Sequence, residues 1–185
     1  MKKHMLILGR SVMVTRAMTR RLAKTYELCF AEYPWCEVFA SGEAAAWLRE
    51  MIRYPENISL GWQSYLGKIV GAAFAFPVSL KSDVVVFVPQ SIEVEEVIYI
   101  ADIFVKRSSR NLGIASKLHE ECLNIAKQNG FLYAIGRTNL DSKMRPIFEE
   151  NGYRIIGTQR VVSRKFMEGK IVSVPDERGI FFRTL

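Results

Sequence analysis

Residues 98–127 read IYIADIFVKRSSRNLGIASKLHEECLNIAK, the pattern of a strand that runs through a loop into an amphipathic helix. The strand, residues 97–105, is almost wholly apolar and is interrupted by one acid, Asp102. A charged turn at residues 106–110 leads to Gly113, where the helix begins. A helix N-terminus offers unpaired backbone N–H groups and a positive dipole end, and here basic side chains precede it. The stretch therefore predicts a site for a ligand that carries phosphate.

The composition is that of one compact domain. The chain has 185 residues, of which 49% are apolar and 24% charged, so we expect a single domain over residues 1–185. Its three cysteines show no paired spacing, which indicates a reducing compartment and favours the cytoplasm. No apolar run is long enough to span a bilayer, and the run at residues 5–8 is too short for a signal peptide.

The basic charge selects no partner by itself. The net charge is +7, but the basic residues are scattered along the chain and form no block with interleaved aromatics. A nucleic-acid binder would rest on the net charge alone. We expect neither a nucleic-acid nor a membrane partner.

The flanking segments predict alternating strands and helices. Before residue 97 the pattern predicts a strand at 5–8, stopped by residues 9–11, and then a helix capped by Thr15. A second helix over 43–53, capped by Ser41, is followed by a hairpin of strands 58–65 and 69–78, and residues 81–90 are predicted as a strand or a loop. After residue 127 it predicts a strand at 131–136, a helix over 142–151, and closing strands at 153–164 and 179–185 joined by the polar stretch 165–178. This order predicts an α/β (α+β) fold around one mixed sheet.

The loop after the central strand lacks two common phosphate-binding signatures. A Walker loop ends in Gly-Lys-Ser/Thr, and a dinucleotide fingerprint needs three glycines, whereas only Gly113 is present. The loop instead contains Arg110-x-x-Gly113-x-Ala115. This resembles the Gln/Arg-x-x-Gly-x-Gly/Ala signature of the GNAT superfamily of N-acetyltransferases. The resemblance extends over residues 97–157, with the ending Glu-x-x-Gly-aromatic at residues 149–153.

The resemblance implies a single GNAT-like domain whose mixed, mostly antiparallel sheet is splayed at the cofactor site and flanked by helices. It implies an acetyl-CoA-dependent N-acetyltransferase that acts on a primary amine by direct transfer in a ternary complex. The loop N–H groups would hold the pyrophosphate, and the backbone of Ile103 and Val105 would pair with the pantetheine arm. The residues implied for acetyl-CoA are Ile103, Phe104, Val105, Arg110, Asn111, Leu112, Gly113, Ile114, Ala115, Ser116, Asn139 and Phe148.

Two positions depart from the family pattern. Asn111 replaces a common glycine, and asparagine tolerates left-handed dihedrals better than most residues. Phe148 stands where family members often carry a tyrosine that protonates the leaving thiolate, and phenylalanine donates no proton. Another group or a water would then act, or the thiolate would leave unassisted. A CoA-binding domain without catalysis is therefore an alternative.

Asp102 is the candidate base that takes the proton of the amine, because it is the one acid in the apolar strand. Glu96, with Glu95 beside it, is the reserve and would act through water. The alternative for Asp102 is a carboxylate with a structural partner. An N–H near Ile103 would polarise the thioester oxygen.

The segment around residues 32–37 predicts the acceptor site. Tyr33, Trp35 and Glu37 suit a small cationic amine, although the two aromatic residues would also fit a core role. A peptide or protein amine is the alternative acceptor. We expect no metal site, because His119 has no second histidine at helical spacing and is predicted to be solvated. Asp141 is predicted to cap a helix, and the closing strands allow a homodimer.

Overall fold

The computed structural model describes residues 9–185, which form one seven-stranded sheet with helices on both faces. The strands are β1 (Gly9–Met13), β2 (Ile58–Ser64), β3 (Ile69–Pro77), β4 (Val97–Val105), β5 (Tyr133–Asn139), β6 (Arg154–Met167) and β7 (Lys170–Thr184). The helices are α1 (Arg16–Phe30), α2 (Glu43–Met51), α3 (Ser82–Val85), α4 (Ile114–Gln128) and α5 (Met144–Glu150). Short 3-10 turns lie at Val78–Leu80, Val94–Glu96 and Arg107–Ser109.

The strand order is β1-β2-β3-β4-β5-β7-β6, and only β4 and β5 run parallel. That pair is short, because residues 97–100 of β4 pair with residues 133–136 of β5 and no further. Beyond this point β4 stays with β3, while β5 stays with β7. The mixed, mostly antiparallel and splayed sheet is therefore confirmed.

A β-bulge lies in β4 where the two strands part. Successive residues of β3 pair with Asp102 and Ile100, which leaves Ala101 as the extra residue. A bulge shifts the alternation of side chains by one position, so Asp102 points to the same face as Tyr99. The sequence alternation alone would place these two side chains on opposite faces.

Each face of the sheet has its own core. On one face Phe74, Phe76 and Tyr99 pack under α1 and α2, with Leu22 and Leu48 as the buried helix residues. The opposite face packs under α4 and α5, with Ile98, Ile100, Leu118, Cys122 and Phe148 among its buried residues. The cleft described below therefore has one helical layer on each side.

The structure corrects three predictions in the first half of the chain. The residue that caps α2 is Gly42, with φ of 79°, and not Ser41. The strand expected at residues 5–8 lies outside the described residues, but residues 9–11, expected to end it, belong to β1. Residues 81–90 are neither strand nor loop throughout, because α3 places Val84 in the core. Tertiary burial has overridden the weak β preference of the valine run.

The polar stretch at residues 165–178 does not form the predicted loop. β6 and β7 continue through it as a long hairpin that turns at Glu168 and Gly169, with φ of 51° and 78°. Paired strands satisfy their backbone groups without an apolar face, so polarity did not indicate a loop here. The hairpin also pairs with residues 36–38: Val38 N–H donates to the Arg164 carbonyl, and Phe166 N–H donates to that of Cys36.

His119 is fully buried, so the prediction of a solvated residue was wrong. The helix α4 buries a wider face than its apolar spacing indicates, because α5 and the C-terminal strands cover its side. Nε2 lies 3.1 Å from the Tyr153 hydroxyl, while Nδ1 has no hydrogen-bond partner within residues 9–185. Burial, with a smaller effect of Arg183, lowers the pKa of His119 to about 4.

Candidate functional site

A cleft of about 710 Å³ opens where β4 and β5 part. Its walls come from β4, β5, the segment after α1, the N-terminus of α4 and the start of α5. Ten of the twelve residues predicted for acetyl-CoA line it; Leu112 and Asn139 do not. Asp102, Tyr33, Trp35 and Glu37 also line it. The splay thus brings most of the predicted site residues to one cavity.

The loop before α4 adopts the backbone conformation that the sequence suggested. Asn111 has φ of 61° and Gly113 has φ of 76°, both in the left-handed region. The side chain of Leu112 packs instead against the apolar core on the α4 face. The cleft is lined by Ile114, Ala115 and Ser116, the first turn of α4, whose N–H groups have no partner within the helix.

Arg110 ties this loop to the end of β4. Its Nε donates to the Val105 carbonyl at 2.8 Å, and its Nη1 forms an ion pair with Glu32. The Cys29 thiol also donates to the Val105 carbonyl at 3.3 Å. The Val105 carbonyl therefore already has hydrogen-bond donors. The backbone of Ile103, two residues earlier, points to the same side of β4, the edge that β5 leaves open beyond residue 100. The ion pair of Glu32 with Arg110 was not predicted, because the two residues lie 78 positions apart in the sequence.

Phe148 is buried with its ring tip against β5. A Cβ built on Gly136 would lie 2.5 Å from the Phe148 Cζ and 3.0–3.1 Å from the two Cε atoms. The para position therefore points at the backbone of β5. Phe181 and Tyr153 hold the ring on its other sides.

The residues after β5 stabilise a turn. Asn139 is the last residue of β5, which extends three residues beyond the strand predicted at 131–136, and its Nδ2 donates to Asp176 Oδ1 at 3.0 Å. Its Oδ1 accepts the N–H of Asp141 at 2.9 Å. Ser142, not Asp141, caps α5, because its Oγ accepts the Met144 N–H at 3.1 Å.

Asp102 lies in the wall of the cleft on the α1/α2 face. Its Oδ2 accepts hydrogen bonds from Trp47 Nε1 at 2.8 Å and from the Tyr26 hydroxyl at 3.3 Å. Burial raises the pKa of Asp102, and these two hydrogen bonds oppose the shift. Within residues 9–185, Oδ1 accepts no hydrogen bond. This is the arrangement of a base with one oxygen anchored and the other available.

Glu96, the second predicted base, does not line the cleft. It ends the 3-10 turn before β4, six residues from Asp102, and its carbonyl accepts the Leu132 N–H. At about 3.3 Å per residue, six strand residues span roughly 20 Å. Glu96 therefore lies too far from Asp102 to serve as a substitute.

The three predicted acceptor residues line the cleft, but the one acid among them, Glu37, is paired with an arginine. Tyr33 is 76% exposed, and its hydroxyl donates to Asp141 Oδ2 at 3.0 Å. The Arg178 guanidinium lies 4.9 Å from the centre of the Trp35 ring, and its Nη2 donates to Glu37 at 2.7 Å. Burial raises the pKa of Glu37, and Arg178 opposes this.

Two arginines that the sequence pattern did not indicate, Arg137 and Arg178, also line the cleft. Arg137 lies one residue beyond the strand predicted at 131–136 and is followed by Thr138 and Asn139, so no isolated charge within an apolar run marked it. Arg178 lies in the polar stretch 165–178, which was expected only to join two strands and instead belongs to the hairpin of β6 and β7.

Within residues 9–185, no helix is long and apolar enough to cross a membrane, and no group of three or more His, Cys, Asp or Glu could hold a metal ion.

Solved structures share the fold at low sequence identity. An N-acetyltransferase from Staphylococcus aureus Mu50 is 16% identical, with 95% of this chain and 98% of that chain covered and a TM-score of 0.69. A phosphinothricin acetyltransferase from Sinorhizobium meliloti, in complex with acetyl-CoA, is 13% identical, with coverage of 96% and 88% and a TM-score of 0.70. A ribosomal-protein-alanine N-acetyltransferase from Brucella melitensis is 16% identical, with coverage of 95% and 99% and a TM-score of 0.68. No curated protein sequence matches the chain.

The family model described as "Acetyltransferase (GNAT) family" matches residues 21–153, which include most of α1, the bulged β4, the loop and α5. The model covers well over half of the chain and ends at the residue that closes the Glu-x-x-Gly-aromatic pattern. The chain therefore belongs to the GNAT family of acetyltransferases.

Proposed function

We propose that the protein transfers the acetyl group of acetyl-CoA directly to the primary amine of a small molecule, in a ternary complex. The observation that carries this proposal is Asp102, which lies in the wall of the splay with Oδ2 anchored by Tyr26 and Trp47. A base in this place faces the open edge of β4, where the thioester would pair with the strand.

The residues of the cleft fit acetyl-CoA. Asn111 and Gly113, both left-handed, form the turn that leads into α4. The backbone N–H groups of this turn and of the first turn of α4 would bind the pyrophosphate. The open edge of β4 at Ile103 offers N–H and carbonyl groups to the pantetheine amides, and Arg110 keeps the loop attached to that strand. The phosphinothricin acetyltransferase that shares this fold was solved with acetyl-CoA bound, which supports the same class of ligand here.

The reaction needs one base and one leaving group. Asp102 Oδ1 takes a proton from the amine, directly or through a water, and the amine nitrogen attacks the thioester carbonyl carbon. The N–H of Ile103 stabilises the oxygen of the tetrahedral intermediate. A C–N bond forms, the C–S bond breaks, and the electron pair leaves with the sulfur as a thiolate.

The thiolate leaves without help from Phe148. The ring carries no acidic proton and points at β5. A thiolate with a conjugate-acid pKa of about 8.5 is a good leaving group, and solvent water in the cleft supplies the proton afterwards.

The shape of the cleft supports a small acceptor over a peptide or protein amine. Residues 36–38 pair with β6 and wall the acceptor side. The expectation of a cationic acceptor rested on acids that are ion-paired, Glu32 with Arg110 and Glu37 with Arg178. The proposed acceptor therefore needs only the amine that reacts and no second cationic group.

A CoA-binding domain without catalysis is the second candidate, and Phe148 is the observation that favours it. Calorimetry with acetyl-CoA, together with thiol release over a panel of amines, separates the two. We expect tight binding and acceptor-dependent thiol release. Binding without thiol release from any amine would favour the second candidate, and exchange between acetyl-CoA and labelled CoA without an acceptor would contradict direct transfer.

We place the reaction in the cytoplasm. The cysteines Cys29, Cys36 and Cys122 are all free thiols, as a reducing compartment requires.

A further inference from the structure

Arg137 and Arg178 lie side by side on the face of the sheet that carries Asp102. In the antiparallel β5–β7 pair, Arg137 lies opposite Ile180, and Arg178 is two residues from Ile180. Residues two apart on a strand share a face, so the two arginines are diagonal neighbours. Ile180 belongs to the core under α1 and α2, the helices that supply the partners of Asp102.

Arg137 is held firmly but uses only one of its three nitrogens. Its Nη1 donates to Asp83 Oδ2 at 2.5 Å and to Gln159 Oε1 at 2.6 Å. Its Nε and Nη2 donate to no acceptor within residues 9–185. The side chain is 10% exposed and lines the cleft, so the cleft is the space in which an acceptor for these donors would sit.

Arg178 is held in the same manner. Its Nε donates to Asp176 at 3.2 Å, and its Nη2 donates to Glu37 at 2.7 Å and to Ser163 at 3.0 Å. Trp35 lies against the guanidinium plane. Among the described residues Nη1 has no acceptor, and the side chain, 15% exposed, lines the same cleft.

The donors that face the cleft lie near acids but have no direct acceptor. Asp83 is shared by Lys81 and Arg137, Arg178 is paired with Glu37 and Asp176 through its other nitrogens, and Asp102 acts on both arginines through space without a hydrogen bond to either. Within residues 9–185, none of these three nitrogens is a fully buried atom without a partner, so each is accessible from the cleft, where an acceptor on a bound ligand would form a charge-assisted hydrogen bond with it. An oxyanion in the cleft would supply an acceptor to both arginines, and the Asp102 carboxylate would remain available to the amine.

We infer that the acceptor is a primary amine that also carries a carboxylate, of the amino-acid type. The inference rests on the proposed function and deepens it. The carboxylate binds between Nε and Nη2 of Arg137 and Nη1 of Arg178, because the planar guanidinium matches a carboxylate in geometry and charge. The amine is then directed toward Oδ1 of Asp102.

Matched acceptors provide the first test. Each set contains an amino acid, its carboxamide and the amine that lacks the carboxyl carbon, and each rate is corrected for the fraction of that amine that is deprotonated at the assay pH. Thiol release from acetyl-CoA is measured with the full-length protein. We expect kcat/KM for the amino acid to exceed that for the carboxamide by about 10- to 100-fold, the effect of a charge-assisted hydrogen bond.

The variant Arg137→Gln provides the second test. It should remove most of the preference for the carboxylate and leave the affinity for acetyl-CoA, measured by calorimetry, within about twofold of the parent. Arg49→Gln is the matched control, because Arg49 is exposed on α2 and does not line the cleft. Circular dichroism establishes that each variant is folded. If Arg137→Gln fails to fold, the acceptor series on the parent protein still decides.

The outcomes separate the inference from the function beneath it. Turnover of amines or carboxamides as fast as that of amino acids would overturn the carboxylate inference and leave the acetyltransferase proposal standing. Tight acetyl-CoA binding with no thiol release from any amine, amino acids included, would overturn the proposed function and the inference with it.

Discussion

Asp102 is the residue on which the proposed chemistry depends, and the direction of its pKa shift predicts how activity changes with pH. Burial raises the pKa of the Asp102 carboxyl above the ordinary value of an aspartate, although the hydrogen bonds from Trp47 and Tyr26 oppose this. A base works only when deprotonated, so activity should fall as pH drops through this raised pKa, and the acid limb of kcat/KM should lie above that of an ordinary aspartate. Asp102→Asn should lower kcat by about 10²- to 10⁴-fold and abolish the limb.

The pH–rate profile of the parent and of Asp102→Asn is the measurement, with acetyl-CoA affinity as the control for an intact cleft. Were Glu96→Gln, and not Asp102→Asn, to remove the acid limb, the base would be Glu96 acting over the length of β4. The separation of the two residues makes us expect the reverse.

Phe148 makes the second prediction at this scale. Its para position faces Gly136, so a hydroxyl placed there would meet the β5 backbone and not the thiolate. Phe148→Tyr should therefore give no gain in kcat, and overpacking should lower the free energy of unfolding by about 1–3 kcal/mol. Gly136→Ala crowds the same contact from the other side and should also lower the midpoint of urea unfolding. A rise in kcat with Phe148→Tyr would contradict this geometry.

Local elements were predictable because their signals are local. The predicted strand at residues 97–105 is β4, and the loop and α4 follow within one residue of their expected places. The acceptor wall was not predictable, because the partners of Asp102 come from distant parts of the chain. Tyr26 and Trp47 lie 76 and 55 residues away, and no periodicity encodes which helix residue meets which strand.

The loop before α4 gives a prediction at the scale of an element. Asn111 has φ of 61°, which glycine adopts freely and which a β-branched residue adopts only with strain of about 1–2 kcal/mol. Asn111→Gly should therefore keep the affinity for acetyl-CoA. Asn111→Val should weaken it by about 5- to 30-fold, because binding would have to restore the left-handed turn. Calorimetry on the pair measures this; equal affinities would show that the loop conformation does not control binding.

One end of the sheet is β6, which exposes the side chains of Val162 and Phe166. Residues 36–38 pair with its edge at residues 164–166, and among the described strands none pairs with the rest of that edge. An exposed apolar edge favours pairing with another chain, so the homodimer stays a prediction at this edge. Sedimentation equilibrium should show a concentration-dependent dimer that Phe166→Glu weakens and that the matched substitution Leu28→Glu, on exposed α1, does not. A monomer at all concentrations would contradict it.

His119 links the packing of the whole molecule to pH. Its folded pKa of about 4 lies below the unfolded value of 6.5, so the unfolded chain binds more protons between these pH values. Stability is therefore complete above about pH 6.5 and is lost as pH falls toward 4, by roughly 2 kcal/mol between pH 7.5 and 5. In His119→Gln this part of the loss should vanish, whatever the variant costs at pH 7.5. Urea unfolding of both proteins at the two pH values measures the difference, and His4, the other of the two histidines, is common to both. An unchanged pH dependence in His119→Gln would mean that protonation of the buried imidazole does not cause the loss of stability in acid.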